Sequence, residues 1–486
     1  MKTENKKNNN IPIPEGWKMR TLGGLPYNVN NKILSQADNI EGWKTKMLGE
    51  VITLNTGKLD SNRAENNGSF PFFTCAPNPL KINSYAFNCD AILLAGNNAN
   101  GIFHINRYNG KFNAYQRTYV ITTANQNIDI DFLYYSLQLY LNYLKDISQG
   151  SATKFLTVKI LKDIKIDIPI DIKEQKQIAK ILSSLDDKIE LLREQNKTLE
   201  AMAQAIYKRW FVDFEFPATE PKNSATIEDE QQPKADGVVF NTLQLKGYKS
   251  SGGKMVESKL GEIPEGWRIK QITELFDFIK GVEPGSSNYV KHKIADNYIP
   301  FYRVQNISGN NNMPDIFIEK SLSNKKIFEE SDILVSLDGT IGRVFIGGSG
   351  SYSSGIRKVI SKNNVIGQCL IYCFLKSDYF QNGLILFSSG ETTIKHAGKT
   401  LENLQIAYKQ DIFEQFTKNT NPIFEKMIIN LQQIQTLSAL RDSLLPKLMS
   451  GKIRVPVKNE AETTPAAEGC HPSFLRRGAE RLKGEE

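Results

Sequence analysis

At 486 residues the chain is long enough for two to four domains, each with its own core. Hydrophobic content of 40% and charged content of 23% are ordinary for a soluble globular protein, and a net charge of +8 is mildly basic, which suits a nucleic-acid partner and many housekeeping enzymes alike. No run approaches about 18 apolar residues and no apolar stretch follows Met1-Lys2-Thr3-Glu4-Asn5-Lys6-Lys7, so neither a signal peptide nor a membrane span is expected.

Five cysteines (Cys75, Cys89, Cys369, Cys373, Cys470) are few, odd in number and scattered, which suggests the reducing cytoplasm. Cys369 and Cys373 sit in an apolar, strand-like run with no second Cys or His pair nearby and read as core thiols. The four histidines (His104, His292, His396, His471) fall at no ligand spacing, so no metal site is expected.

In chain order, residues 1–40 form a polar, Asn-rich N-terminal extension carrying Ile13-Pro14-Glu15-Gly16-Trp17-Lys18. Residues 41–160 read as short strands broken by turns such as Gly96-Asn97-Asn98-Ala99-Asn100-Gly101, a strand-rich module. In 161–216 the period changes: Ile178, Leu182, Leu185, Ile189, Leu192, Leu199, Ala203, Ile206 and Trp210 recur in steps of three and four, with Asn196 in the one polar slot. This predicts about 33 residues of heptad helix, roughly 50 Å long, with the asparagine fixing register. Residues 217–258 read as a flexible linker, and 259–405 as a second strand-rich module. A second heptad helix lies in 406–457, through Ile423, Met427, Ile434, Leu437, Leu444 and Leu448, with Asn430 and Arg441 interrupting its seam. Residues 458–486 read as a disordered tail.

The two modules are copies, about 230 residues apart. Glu41-Gly42-Trp43-Lys44, Phe70-Pro71-Phe72-Phe73, Asp90-Ala91-Ile92-Leu93-Leu94 and Ser148-Gln149-Gly150 recur in order as Ile263-Pro264-Glu265-Gly266-Trp267-Arg268, Ile299-Pro300-Phe301-Tyr302, Asp332-Ile333-Leu334-Val335-Ser336 and Ser388-Ser389-Gly390. The order module, helix, module, helix favours an antiparallel helix pair and a pseudo-twofold α+β architecture; two separate dimerisation helices are the alternative.

Common catalytic motifs are missing. Asn78-Pro79-Leu80 and Asn421-Pro422-Ile423-Phe424 lack the second proline of a D/N-P-P-aromatic loop, and Pro422 reads as the boundary of the second helix. Gly252-Gly253-Lys254-Met255 fails the phosphate-loop pattern. Glu174-Gln175-Lys176 and Glu257-Ser258-Lys259 match the nuclease tripeptide Glu-x-Lys, but Glu174 equally suits the start of a helix. No catalytic residue is assigned, and the chain reads as a binder.

Both modules carry Asn, Gln, Arg and Lys in loops between aromatic strands. In the first these are Asn97, Asn98, Asn100, His104, Arg107, Lys111, Gln116, Arg117 and Lys154. In the second they are Arg303, Gln305, Asn306, Thr340, Arg343, Arg357, Lys358 and Lys395. Such side chains can read the base edges and neutralise the phosphates of double-stranded DNA; any single one reads better as an ordinary polar loop residue, but as a set in both copies they favour a shared ligand-facing edge.

Together with Gly110 to Arg117, Glu174 to Ala179, Asp186-Asp187-Lys188-Ile189 and Leu437 to Leu448, these landmarks resemble the specificity subunits of type I restriction-modification systems over roughly residues 41–216 and 255–455. The resemblance implies two target recognition domains, each reading half of a bipartite DNA site. It also implies that the antiparallel helices form a spacer that docks two modification (methyltransferase) subunits. S-adenosylmethionine, ATP and Mg would then belong to partner modification and restriction subunits, with no cofactor on this chain. A stand-alone or fused endonuclease acting through Glu-x-Lys, or a coiled-coil protein adaptor, are the rival readings.

Overall fold

The computed structural model describes Lys18–Met19 and residues 40–98, 103–147, 154–217, 247–307, 314, 316–387 and 395–456. The chain divides into two compact units, Met1–Ser184 with Arg441–Glu486, and Leu185–Leu440. The signature Ile13 to Trp17, Asn100, the landmarks Ser148-Gln149-Gly150 and Ser388-Ser389-Gly390, linker residues 218–246 and the tail from 458 lie outside the described residues.

In the first unit, Trp43–Met47 opens the module and pairs antiparallel with Lys165–Pro169, which closes it. Between them runs a six-stranded sheet in the order Ile52–Thr56, Thr118–Thr123, Phe87–Ala95, Ile105–Ala114, Phe70–Phe73, Leu80–Ile82. Strand alternation sends Ile92, Leu94 and Ile121 to one face, where they join Phe132, Leu133 and Leu137 of the helix Ile130–Ile147. Ala91, Leu93 and Val120 face the other way, with Phe73 and Phe112. This 18-residue helix lies in a stretch read as strands. Leu133, Leu137, Tyr140 and Leu144 do recur at helical spacing, but their aromatic and aliphatic neighbours suit a strand equally well.

The second unit repeats the plan. Arg268–Gln271 pairs with Gln405–Tyr408, and Phe276–Lys280, Ile356–Ser361, Ile333–Ser336 and Val344–Phe345 form one four-stranded sheet. A separate sheet holds Phe317–Glu319, Tyr298–Tyr302, Gly350–Tyr352 and Ile327–Phe328. Two short strands here replace the long Ile105–Ala114 of the first unit. Gly347 (φ 82°) and Gly350 (φ 146°) adopt conformations that interrupt a continuous ladder.

Further expectations are corrected. Cys369 and Cys373 are fully buried thiols, but they lie on the helix Gln368–Lys376 rather than in a strand. Cys369 through Leu375 is apolar or aromatic at every position and so carries no period to separate helix from strand. The end of the linker is folded: Tyr248 stacks on Phe216 at 4.8 Å, and Met255–Ser258 forms a hairpin with Gly261–Pro264. Pro422 is interior to a helix of 40 residues, Gln410–Met449. Its missing N–H costs about 3 kcal/mol, which is offset by burial of Ile423, Phe424 and Met427 in the second core.

The first long helix, Ile172–Phe211, and the second, Gln410–Met449, pair antiparallel in both units. In the first unit Ile178 and Leu182 share a core with Leu444, Leu445 and Leu448. In the second, Ile189 and Leu192 cluster with Ile434 and Leu437, while Trp210 and Phe211 pack edge-on against Phe416. Leu199 and Ile206 pack against the second core, and Leu185 is half-buried. Asn430 does not interrupt the seam. It is fully buried and donates from Nδ2 to Asn196 Oδ1 at 2.9 Å, while Asn196 Nδ2 donates to the Met427 carbonyl at 3.1 Å. A slip of seven residues would set Asn196 against Ile423 or Leu437, and Asn430 against Ile189 or Ala203, leaving amides buried among apolar groups.

Asn196→Leu is therefore expected to cost about 1–3 kcal/mol by stranding the Asn430 amide. Asn196→Leu with Asn430→Leu should recover most of that loss; a urea denaturation series on the three proteins measures both effects.

Candidate nucleic-acid interface

A backbone cradle forms in each module where the third strand of the sheet ends. In the first, Gly96 N–H donates to the Arg117 carbonyl (2.8 Å), Leu156 N–H donates to the Gly96 carbonyl (2.8 Å), and Asn97 and Asn98 pair with Phe155 and Lys154. In the second, Leu337 N–H donates to the Gly355 carbonyl (2.9 Å), Ala397 N–H donates to the Leu337 carbonyl (2.8 Å), and Asp338 and Gly339 pair with His396 and Lys395. Thr56 lies opposite Tyr119 in one sheet and Lys280 opposite Arg357 in the other.

The first cradle walls a cleft of about 270 Å³ that brings together the predicted Asn97, Gln116 and Arg117. It adds Thr56, Tyr119 and Phe155, which sequence reasoning missed. Gln116 and Arg117 are exposed, and Phe155 shows 42% of its surface. The Cys75 thiol donates to Asn97 Oδ1 at 2.8 Å, and the Tyr119 hydroxyl donates to the Leu156 carbonyl at 2.7 Å. The ladder that joins Asn97 to Phe155 spans 58 positions of sequence and leaves no local pattern to find it by.

The other predicted residues divide by their partners. Arg107 bridges Asp90 and Asp131, the latter at 2.7 Å; although burial opposes it, hydrogen bonding to Asp90 holds the guanidinium pKa above its ordinary value. Lys358 pairs with Asp332 at 3.0 Å and also donates to the Ile327 carbonyl. Arg357 faces Asp338 at 3.5 Å. The aspartates that open the two landmarks, Asp90 of Asp90-Ala91-Ile92-Leu93-Leu94 and Asp332 of Asp332-Ile333-Leu334-Val335-Ser336, are thus counter-ions inside their modules. Arg343 donates to the Val304 carbonyl at 3.0 Å, and the buried Asn306 accepts from the Arg303 N–H through Oδ1 at 3.0 Å, a turn-forming role. His104 is half-buried, and burial pulls its pKa down. Lys111 is exposed over the Tyr85 ring at 4.8 Å, and Gln305 and Thr340 are exposed. For Asn98, Lys154 and Lys395 the structure describes the backbone.

Glu174, the candidate Glu-x-Lys acid, is 2% exposed and accepts from Arg454 Nε (2.6 Å), Arg454 Nη2 (2.9 Å) and Trp43 Nε1 (3.3 Å). That geometry ties the start of the first long helix to the segment after the second. Among the described residues no group of three or more His, Cys, Asp or Glu is placed to hold a metal ion, and no helix is long and apolar enough to cross a membrane.

A sequence profile for the type I restriction modification DNA specificity domain matches residues 40–201 and 264–408, more than half of the chain. The chain belongs to this family. It is 45% identical over 148 residues to the type I restriction enzyme EcoDI specificity subunit of Escherichia coli, covering 30% of this chain and only 32% of that relative. It is 31% identical over 344 residues to the MjaIX specificity subunit of Methanocaldococcus jannaschii, covering 67% of this chain and 69% of the relative. Its fold is similar to the S subunit of a type I restriction-modification system from M. genitalium, with a TM-score of 0.52 at 15% identity over 87% of this chain and 98% of that one. Both cradles of this specificity-domain protein fall within the matched stretches.

Arg107→Ala should act on stability rather than on DNA. Losing its partly exposed bonds to Asp90 and Asp131 is expected to cost about 1–2 kcal/mol. The ionic-strength dependence of duplex retention should be unchanged, as thermal unfolding and filter binding across a salt series will measure.

Proposed function

We propose that this chain is the non-catalytic DNA-recognition subunit of a type I restriction-modification complex. Each strand-rich module reads one half of a bipartite duplex site, and the paired helices dock the modification (methyltransferase) subunits, two per chain. Restriction subunits join through the complex in the cytoplasm, and S-adenosylmethionine, ATP and Mg act on those partner chains. The observation that carries this reading is the repetition of one strand plan, closed each time onto the same antiparallel helix pair, within a family named for DNA specificity. The burial of Glu174 against Arg454 and Trp43 counts against a nuclease built on Glu174-Gln175-Lys176.

Replacing residues 41–160 with the equivalent module of a relative is expected to change one half-site and leave the other intact. Methylated-base mapping in a host with the partner subunits reads the outcome, and an unchanged recognition sequence would refute modular recognition. On the same reading, deleting one heptad from both helices together shortens the pair by about 10 Å, or about three base pairs. A variant that still methylates sites of the original spacing would show that the helices do not set it.

A further inference from the structure

We propose that the cradle of the first module is its base-reading contact and that Asn97, Gln116 and Arg117 set the sequence of its half-site. The inference rests on the reading that each module recognises half of a DNA site, and it names the residues that do so.

The two cradles share their backbone and differ in their side chains. The hydrogen bonds from Gly96 to Arg117 and from Leu337 to Gly355 are equivalent, as are the strand pairs that follow them. Yet Asn97 corresponds to Asp338, Gln116 to Ser354 and Arg117 to Gly355. A packing site keeps residue size and polarity along with its backbone. A reading site keeps the path of the chain, which fixes its approach to the duplex, and changes the side chains, which identify bases.

The second observation is the shape and chemistry of the cleft. Three groups able to contact base edges converge on about 270 Å³ of concave surface, beside the exposed Phe155 ring. Asn97 Oδ1 accepts from the Cys75 thiol, and its Nδ2 carries two donors. Arg117 offers a donor fork, which matches guanine O6 and N7. The exposed ring suits a thymine methyl. The ligand chemistry is therefore a major-groove edge rich in acceptors. In the second module Asp338 instead faces Arg357, so that cradle presents a different set of groups.

The test maps methylated bases genome-wide in a host carrying the partner subunits with the unaltered chain, with Q116S/R117G, or with Gln116→Glu. The double variant installs the residues of the second cradle at exposed positions. It should lose discrimination at one or more bases of the first half-site by roughly tenfold or more, with the second half-site and the spacing unchanged. An unaltered motif with unaltered discrimination in both variants overturns the inference. If Q116S/R117G methylates nothing, Gln116→Glu decides, and either unchanged discrimination or loss of methylation at every sequence counts against it. Equal loss of retention on specific and unrelated duplexes at low salt would make Arg117 a phosphate anchor and also overturn it. A split motif that the variants leave unchanged sinks this inference alone, whereas no split motif from the unaltered chain sinks the reading on which it rests.

Discussion

Neither module completes its core from its own stretch of sequence. The first core takes Leu445, Leu448, Met449, Ile453 and Val455 from the far end of the chain, and the second takes Ala203, Tyr207, Trp210 and Phe211 from the helix between the modules. Five large apolar side chains contribute on the order of 10 kcal/mol, comparable to the whole stability of a typical domain at about 5–15 kcal/mol. The helix pair is therefore part of each fold. The Arg454 pairing with Glu174 adds a charged fastening at the point where the last strand, Ile453–Arg454, returns to the first module.

Much of this was legible in the sequence because it is periodic or repeated. The landmarks Phe70–Phe73 and Asp90–Leu94 fall on strands matched in the second module by Tyr298–Tyr302 and Ile333–Ser336, and the heptad positions Ile178, Leu182, Ile189, Leu192, Ile434 and Leu448 became buried seam residues. What escaped were features decided by contacts across long sequence separations. Asn430 looked like a fault in the heptad until Asn196 was placed opposite it. Pro422 looked like a boundary because propensity is local, whereas the packing of Ile423 and Phe424 is not. The helices Ile130–Ile147 and Gln368–Lys376 were hidden by residues that serve either element when buried.

The site was legible to a lesser degree, and for an electrostatic reason. Arginine and lysine in a strand-rich module read as DNA contacts, but Arg107, Arg357 and Lys358 neutralise aspartates from neighbouring strands and turns. Sequence does not reveal which cation has an internal partner, since Asp90 and Arg107 become neighbours only through the pairing of Phe87–Ala95 with Ile105–Ala114. Asn97, Gln116 and Arg117 come together because the cradle sets the strand Asn97–Asn98 beside the one turn that carries Gln116 and Arg117, with Phe155 supplied by a strand of two residues.

On the proposed function, two modules of one chain together specify one DNA site. Mapping methylated bases across the genome of a host that carries this chain with its partner subunits tests it most directly. Two readers on one chain require a split motif, two short defined sequences separated by a fixed run of unspecified bases. A single uninterrupted motif, or methylation with no sequence preference, would contradict it.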